Sequence, residues 1–274
     1  MAISSEMPDL YQRFLELHNG DHVLLLPNPW DAGSAAVLKW LGFEALATTS
    51  SGFASSLGRL DGSVTKAEAL DHAASIVRAS DLPVSADLEN GFGHQPEEVA
   101  DTVVAAADVG LAGCSIEDYS GSDDAPIYEF ALAMDRIVAA ASAAHAGPHQ
   151  VLLTARAENY LHGRPDLDDT IQRLQAFQEA GADVLYAPGV TAPADILSIV
   201  SSVDRPVNVL LLPHGPGVAE LSDLGVRRIS VGGAFAYAAM AGMIGAAREL
   251  QAGTTGFWSQ VAEGRDAARA AFTR

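Results

Sequence analysis

The sequence predicts an α/β protein built as a (β/α)8 TIM-type barrel, with an N-terminal helix and a C-terminal helical extension. Apolar runs of strand length recur at eight places, and segments of helical spacing fill the intervals. A glycine also stands shortly before several of the runs, as in Leu41-Gly42-Phe43-Glu44-Ala45, Ala180-Gly181-Ala182-Asp183-Val184 and Leu224-Gly225-Val226-Arg227-Arg228. At 274 residues and 49% apolar content the chain is long enough for one large barrel. A doubly wound open sheet is the alternative architecture. Against it, Pro27-Asn28-Pro29-Trp30-Asp31 follows the first strand, where a dinucleotide-binding sheet carries its glycine fingerprint.

Residues 1–20 are expected to form a helix ahead of the barrel, residues 21–250 the barrel, and residues 251–274 a closing helix able to exchange between subunits. The strands are expected at 23–27, 45–49, 83–88, 113–117, 150–155, 183–187, 207–212 and 228–231. Helices are expected at 32–41, 66–79, 96–108, 129–144, 167–179, 194–200 and 218–224, then at 234–251 and 257–273. Thr65 before Glu68, Gln95-Pro96-Glu97-Glu98 and Asp166 are helix-start signals, and Gly42, Gly110, Gly181 and Gly225 are stop signals. Glycine and proline are spread along the chain rather than pooled in a linker, so a single domain is expected.

Sixteen basic residues against 35 acidic ones give a formal charge of −19, which repels phosphate backbones and anionic membranes. Nucleic acid and membrane partners are therefore not expected. No segment reaches the roughly 20 apolar residues that span a bilayer, and residues 1–20 lack an apolar signal core, so the expected location is the cytoplasm. The single cysteine, Cys114, fits a reducing compartment and reads as packing. The same negative charge would repel an anionic substrate unless a metal or an arginine reversed the field at the site.

Two strand ends concentrate the chemistry. Val84-Ser85-Ala86-Asp87-Leu88-Glu89-Asn90-Gly91-Phe92-Gly93 and Gly113-Cys114-Ser115-Ile116-Glu117-Asp118 both end in carboxylates. On a continuous strand Asp87 and Glu89 would share a face, and Glu117 could converge on them from the neighbouring strand. Three acids aimed at one point want a cation, and oxygen-only donors suit Mg2+ or Mn2+. Strand five ends in Thr154-Ala155-Arg156, whose guanidinium needs an anion or a carboxylate partner. Strand two ends in Thr48-Thr49-Ser50-Ser51-Gly52, whose amides could cradle a carboxylate. Asp31 and Asp118 read equally well as helix caps. His94 and His214 follow strand ends but read as loop residues. The only lysines, Lys39 and Lys66, lie on predicted helices, which closes the Schiff-base route to a stabilised carbanion.

Asp87-Leu88-Glu89-Asn90-Gly91-Phe92-Gly93 resembles the Asp-x-Asp-x-Gly-[Tyr/Phe]-Gly signature of the phosphoenolpyruvate mutase/isocitrate lyase superfamily. Ile116-Glu117-Asp118 resembles its next strand end, Ser56-Leu57-Gly58-Arg59-Leu60-Asp61 the segment with an Asp near the substrate, and Thr154-Ala155-Arg156 its substrate-binding Arg strand. The resemblance spans about Leu24 to Leu250. It implies a Mg2+ or Mn2+ enzyme acting on an oxo acid, as a homo-oligomer, tetramer or dimer, that exchanges a C-terminal helix. Asp87 would contact the metal, and Glu89 and Glu117 would hold its waters. Asp61 and Arg156 would act at the reacting centre. Thr49, Ser50, Ser51 and Gly52, with Arg156 and Asn208, would bind the substrate.

The departures are specific. Isocitrate and methylisocitrate lyases carry a Lys-[Lys/Arg]-Cys-Gly-His loop whose Cys supplies a proton, where this chain reads Tyr119-Ser120-Gly121-Ser122-Asp123-Asp124-Ala125-Pro126-Ile127-Tyr128. Those lyases also carry a Glu where Tyr186-Ala187-Pro188-Gly189 stands. The mutases offer Lys and Asn to a phosphoryl group, and these too are missing. The reading is a carbon–carbon lyase or decarboxylase for a small 2-oxo or 2-hydroxy polycarboxylate, oxaloacetate- or isocitrate-like, working through a metal-stabilised pyruvate enolate. The alternatives are a mutase or hydrolase at a P–C bond, and a non-catalytic 2-oxo-acid binding protein. Tyr119, His94 and His214 are the candidates for the missing acid.

Overall fold

A computed structural model describes residues 10–273. Eight parallel strands form one sheet: β1 (Leu24–Leu26), β2 (Leu46–Ala47), β3 (Val84–Asp87), β4 (Gly113–Glu117), β5 (Leu152–Arg156), β6 (Val184–Tyr186), β7 (Val207–Leu210) and β8 (Arg228–Ser230). Ladders join every neighbouring pair except β1 and β2, and there the Ala47 amide donates to the Pro27 carbonyl at 3.0 Å and draws the barrel shut. The helices between strands are α2 (Ala32–Trp40), α3 (Ser50–Ser56), α4 (Lys66–Ser80), α5 (Pro96–Asp108), α6 (Phe130–His145), α7 (Leu167–Glu179), α8 (Pro193–Ser201) and α9 (Val218–Asp223). Helix α1 (Leu10–His18) precedes the barrel, and α10 (Ala234–Gln251) and α11 (Trp258–Phe272) follow it. The part of the expected N-terminal helix at residues 1–9 lies outside the described residues.

The helix signals act through side chains. Asp31 caps α2 by accepting from the Ser34 amide at 2.7 Å, and Ser34 answers from its hydroxyl. Thr65 with Glu68 closes a reciprocal box on α4, and Asp166 caps α7. Helix α3 is not among the helices expected from the sequence; the Thr49 hydroxyl accepts from the Gly52 amide and starts a helix within the Ser/Gly run.

Period two along the strands separates two cores. Outward residues such as Ile116, Leu153, Leu185, Val207 and Ile229 pack under the helices. Inward positions carry Ser85, Ser115, Thr154, Asn208, Arg228 and Ser230, a polar middle layer where such barrels commonly place branched aliphatics. Below it, α1 inserts Phe14 among Leu24, Leu26, Ala45, Ala47, Ala112 and Leu152. Gly113 makes this possible: a Cβ there would lie 2.9 Å from Phe14 Cε1 and 3.0 Å from the Leu152 carbonyl. At the other end of the chain, α11 packs on α2 of the same chain, the Phe272 ring reaching to Gly33.

One turn beyond Phe14, His18 is buried beneath the polar layer. Its Nδ1–H donates to the Phe14 carbonyl at 2.8 Å, which leaves the Nε2 lone pair facing Arg228 Nη1 at 3.5 Å. Burial, then the Arg228 charge, push its pKa down to about 3. The folded state therefore binds fewer protons than the unfolded state between that value and 6.5, so His18 costs stability progressively as pH falls below about 6.5. Urea midpoints of the wild type and His18→Gln at pH 7 and pH 5 check this, and the variant is expected to lose less on acidification.

Candidate active site

Two connected chambers open at the carboxyl ends of the strands, an inner one of about 180 Å3 that also touches β1, β7 and β8, and an outer one of about 700 Å3. Ser50, Asp61 and Arg156 line both. Arg156 ends β5, and the alternation that buries Leu153 and Ala155 outward turns its guanidinium inward. Its Nη1 lies 2.9 Å from Asp87 Oδ1, its Nη2 3.2 Å from Glu117 Oε2 and its Nε 2.8 Å from Glu158 Oε1. Burial alone would lower its pKa, but Glu158, Glu117 and Asp87 together hold it well above the ordinary value, so it stays charged. The guanidinium also sits 5.2 Å from the centre of the Tyr186 ring.

Asp87 is the hub on the acid side. Its Oδ2 accepts from the Ser50 amide at 3.3 Å, its Oδ1 from the Glu89 amide at 3.3 Å, and its own amide donates to the Thr48 hydroxyl oxygen at 2.9 Å. The expectation that Asp87 and Glu89 share a strand face is corrected by the backbone. Strand β3 ends at Asp87, and Glu89 stands at φ 49°, a left-handed kink, while the ladder to β4 resumes through the Glu117 amide and Glu89 carbonyl at 3.0 Å. Asp87 thus faces the inner chamber, and Glu89 and Glu117 the outer one. Burial, then the charges of Asp87 and Asp61, push Glu89 up to about 7. Burial raises Glu117 well above the carboxylate range, with Arg156 opposing. Asp61, bonded by the Ser50 hydroxyl, is raised chiefly by desolvation and further by Asp87.

The kinked loop after Asp87 is pinned from behind. Buried Arg136 donates to the carbonyls of Gly93 and His94, both at 2.7 Å, and to that of Asn90, and its guanidinium lies 4.2 Å from the Tyr128 ring centre. Phe92 in the same loop stands at φ 58°. Left-handed non-glycine residues cost about 1–3 kcal/mol each unless the surroundings over-determine them, and Arg136 supplies that constraint.

Other expected residues are placed differently. Thr49 caps α3, and its Oγ1 lies 3.2 Å from Ser51 Oγ. Both residues line the inner chamber with Ser50. Gly52 is packed behind them, where a Cβ would fall 2.6 Å from Thr49 Cγ2. Asn208 is buried beneath the chamber, its amide spent on Ser230 Oγ at 3.0 Å and its carbonyl on Arg228 Nε at 2.8 Å. His94 bonds Tyr128 Oη at 2.6 Å, away from both chambers. Asp118 caps nothing: it is buried, accepting from the Glu158 amide at 2.8 Å and pairing with Arg173 at 3.2 Å. Tyr119 lines the outer chamber and stacks on His162, with ring centres 3.7 Å apart. Glu158, Tyr186, His162 and Arg228 were not among the expected site residues. The inward alternation of β6 and β8 was the signal for Tyr186 and Arg228.

The donor set suits a hard divalent cation. Asp61, Asp87, Glu89, Glu117 and Glu158 surround a single guanidinium, all donors are oxygens, and among the described residues Glu89 has no ion pair. Among the described residues no three His, Cys, Asp or Glu side chains already converge on one point. Mg2+ does not require that, since it takes one or two carboxylates directly and keeps several waters.

Comparisons with known proteins fit this geometry. The family model described as phosphoenolpyruvate phosphomutase matches residues 14–251. An uncharacterized protein of Mycobacterium tuberculosis is 35% identical over 220 residues, covering 80% of this chain and 81% of the relative. The 2-methylisocitrate lyase of Bacillus subtilis is 27% identical over 239 residues, 82% of this chain and 76% of the relative. Among solved structures, a provisionally assigned lyase/mutase from Burkholderia cenocepacia J2315 superposes with a TM-score of 0.92 at 49% identity, covering 96% of this chain and 95% of that one.

Arg136 gives the site its first test. Arg136→Gln should free the loop carbonyls of residues 90–94, and amide hydrogen exchange over that loop should rise about tenfold or more relative to β5, since each charge-assisted bond is worth about 1.5–3 kcal/mol.

Proposed function

The chain belongs to the phosphoenolpyruvate phosphomutase family, and from that premise we propose that it is a Mg2+- or Mn2+-dependent carbon–carbon lyase or decarboxylase for a small 2-oxo or 2-hydroxy polycarboxylate. The observation that carries the reading is Arg156. A guanidinium fixed by three carboxylates opens into both chambers, where it can meet the carboxylate and oxygen of a pyruvate-like core. Neither lysine lines either chamber, and both lie on outer helices.

Asp87, with Glu89 and Glu117, would hold the metal, which when bound supplies Lewis-acid polarisation and positive charge for the developing enolate. The chain's own groups do the rest. Ser50 and Ser51 on the chamber wall orient the substrate carboxylate, and Arg156 holds the oxygen on which negative charge collects. With an oxaloacetate-like acid, the C–C bond electrons pass to the enolate as CO2 leaves, and a water proton on the enolate carbon completes pyruvate. No base is needed. Asp123 and Asp124 in the outer loop, with no Lys or Arg between residues 119 and 128, support a carboxylic acid over a phosphonate.

Purified protein with Mg2+ should form pyruvate or glyoxylate from one of oxaloacetate, isocitrate, methylisocitrate or dimethylmalate. Asp87→Ala should lower kcat/KM by about 100-fold or more, chelation should abolish turnover, and added Mg2+ should restore it. Calorimetric titration with Mg2+ alone should show binding to the wild type and none to the variant. Turnover that survives Asp87→Ala or full chelation removes this reading, and turnover of phosphonopyruvate alone replaces it with the mutase reading.

The assembly is part of the same proposal. Helices α10 and α11 leave Tyr237, Met243, Ile244, Leu250 and Trp258 exposed, an apolar face of the kind that subunits cover. Light scattering should report a dimer or tetramer, and Met243→Lys with Leu250→Lys should shift it toward monomer.

A further inference from the structure

The inner chamber contains a second guanidinium that the chemistry above leaves unused. Arg228 opens β8, is only 3% exposed, and lines that chamber together with Arg156. Its bonds all go to neutral groups: Nε to Asn208 Oδ1 at 2.8 Å, Nη1 to Thr154 Oγ1 at 3.0 Å, and a 3.5 Å approach of Nη1 to His18 Nε2. Among the described residues no carboxylate lies within ion-pair distance of it. Burial, with repulsion from Arg156, lowers its pKa to about 10, which still leaves it charged at neutral pH.

A buried cation without a counter-ion is costly, and two cations on one small chamber repel each other unless an anion comes between them. The charge around the chamber is sorted by side. The acids stand at the ends of β3, β4 and β5 and around Asp61, whereas the β1 and β8 walls carry Asn28, Ser230, Gly232 and Gly233 and no acid. Gly233 directly precedes the 18-residue helix α10, whose first amides carry the positive end of its dipole. A Cβ at Gly233 would lie 2.6 Å from Ser51 Oγ, so the bare glycine lets the Ser51 hydroxyl close against this helix start. Asn28 fixes the turn by accepting from the amides of Val231 and Gly232 at 2.9 and 3.0 Å.

We propose that Arg228 and the β8–α10 turn form a second anion subsite within the inner chamber that takes the distal carboxylate of the substrate and selects dicarboxylates over monocarboxylates. The inference rests on reading the same chamber as an oxo-acid site. Arg156 then holds the reacting end and Arg228 the far end of one small molecule.

Lactate and malate, which differ only by the second carboxylate, separate the outcomes when titrated into the Mg2+-loaded protein by calorimetry. The wild type should bind malate about tenfold or more tightly than lactate, the worth of one charge-assisted bond. Arg228→Gln should bring malate down to the lactate level and leave lactate unchanged, with Arg228→Lys between the two. A wild type that binds both alike overturns the subsite, whether or not any variant folds. So does an Arg228→Gln protein that loses both ligands equally, because Arg228 would then only brace the barrel. If the malate preference holds but no acid is turned over, the subsite stands and the lyase assignment falls.

Discussion

Everything at the mouth of this barrel is arranged around the charge of Arg156. Strands β3 and β4 and the β5–α7 loop deliver Asp87, Glu117 and Glu158 to one guanidinium at the end of β5, and two of these residues are tied elsewhere as well. Asp87 also accepts from the Ser50 and Glu89 amides, which fixes the start of α3 and the kink after β3. Glu158 sends its amide to Asp118, which joins the network of Arg173 on α7. Removing one partner from such a buried set leaves an uncompensated charge, typically worth 3–5 kcal/mol, so the loops of four strands stand or fall together. The price of this rigidity is an excess of negative charge, with Glu89 and Asp61 crowding an arginine already shared three ways. A divalent cation is the group that would relieve it.

The polar interior follows from the same demand. A barrel that keeps an inner chamber cannot fill its middle layer with branched aliphatics, and Ser85, Ser115, Thr154, Asn208 and Ser230 make that layer polar and hydrogen-bonded. The apolar contribution given up there is recovered below, where Phe14 from α1 plugs the barrel against Gly113 and Leu152. A core Phe→Ala change usually costs about 3–5 kcal/mol, so this one ring contributes on the scale of the charge network above it. His18 connects the two levels, with its neutral imidazole bonded to the plug through the Phe14 carbonyl and facing Arg228.

Much of this was legible in the chain because it is local. Eight apolar runs with helical intervals specify the barrel, and Gly181 at φ 104° and Gly225 at φ 87° end their helices as their positions suggest. The strand-end motif specifies Asp87 and Glu117 for the same reason. What the chain conceals is set by partners distant in sequence. The kink at Glu89 depends on Arg136, 47 positions later by numbering, which grips the carbonyls of Asn90, Gly93 and His94. Alternation alone could not have foreseen a left-handed glutamate inside a continuing ladder. Asn208 looked like a substrate contact because it is polar and near a strand end, yet Arg228 and Ser230 consume its amide. The uncharged company of Arg228 depends on β5, β7 and α1 meeting inside the barrel, which no local pattern records.

The loop from Tyr119 to Tyr128 bears on which bond the enzyme breaks. It closes on itself as a short hairpin, with a bridge between Tyr119 and Ile127 and the Ser120 amide on the Pro126 carbonyl at 2.7 Å. Of its side chains, the aromatic ring of Tyr119 reaches the outer chamber and stacks there on His162, whose Nε2 is 3.7 Å from Glu158 Oε2. Desolvation, then Asp123 and Glu117, raise the Tyr119 pKa, so its phenol keeps its proton at neutral pH. An aldol cleavage needs a base for the hydroxyl proton and an acid for the departing carbon, both matched to neutral pH and aimed at the same bond. A decarboxylation needs neither, only an enolate held in place until water reaches it. On the proposed reading, a chamber with a fixed arginine, a crowd of carboxylates suited to a metal, and an aromatic wall in place of a basic loop suits the second task. This weighs the proposed chemistry toward the oxaloacetate-like end of its range.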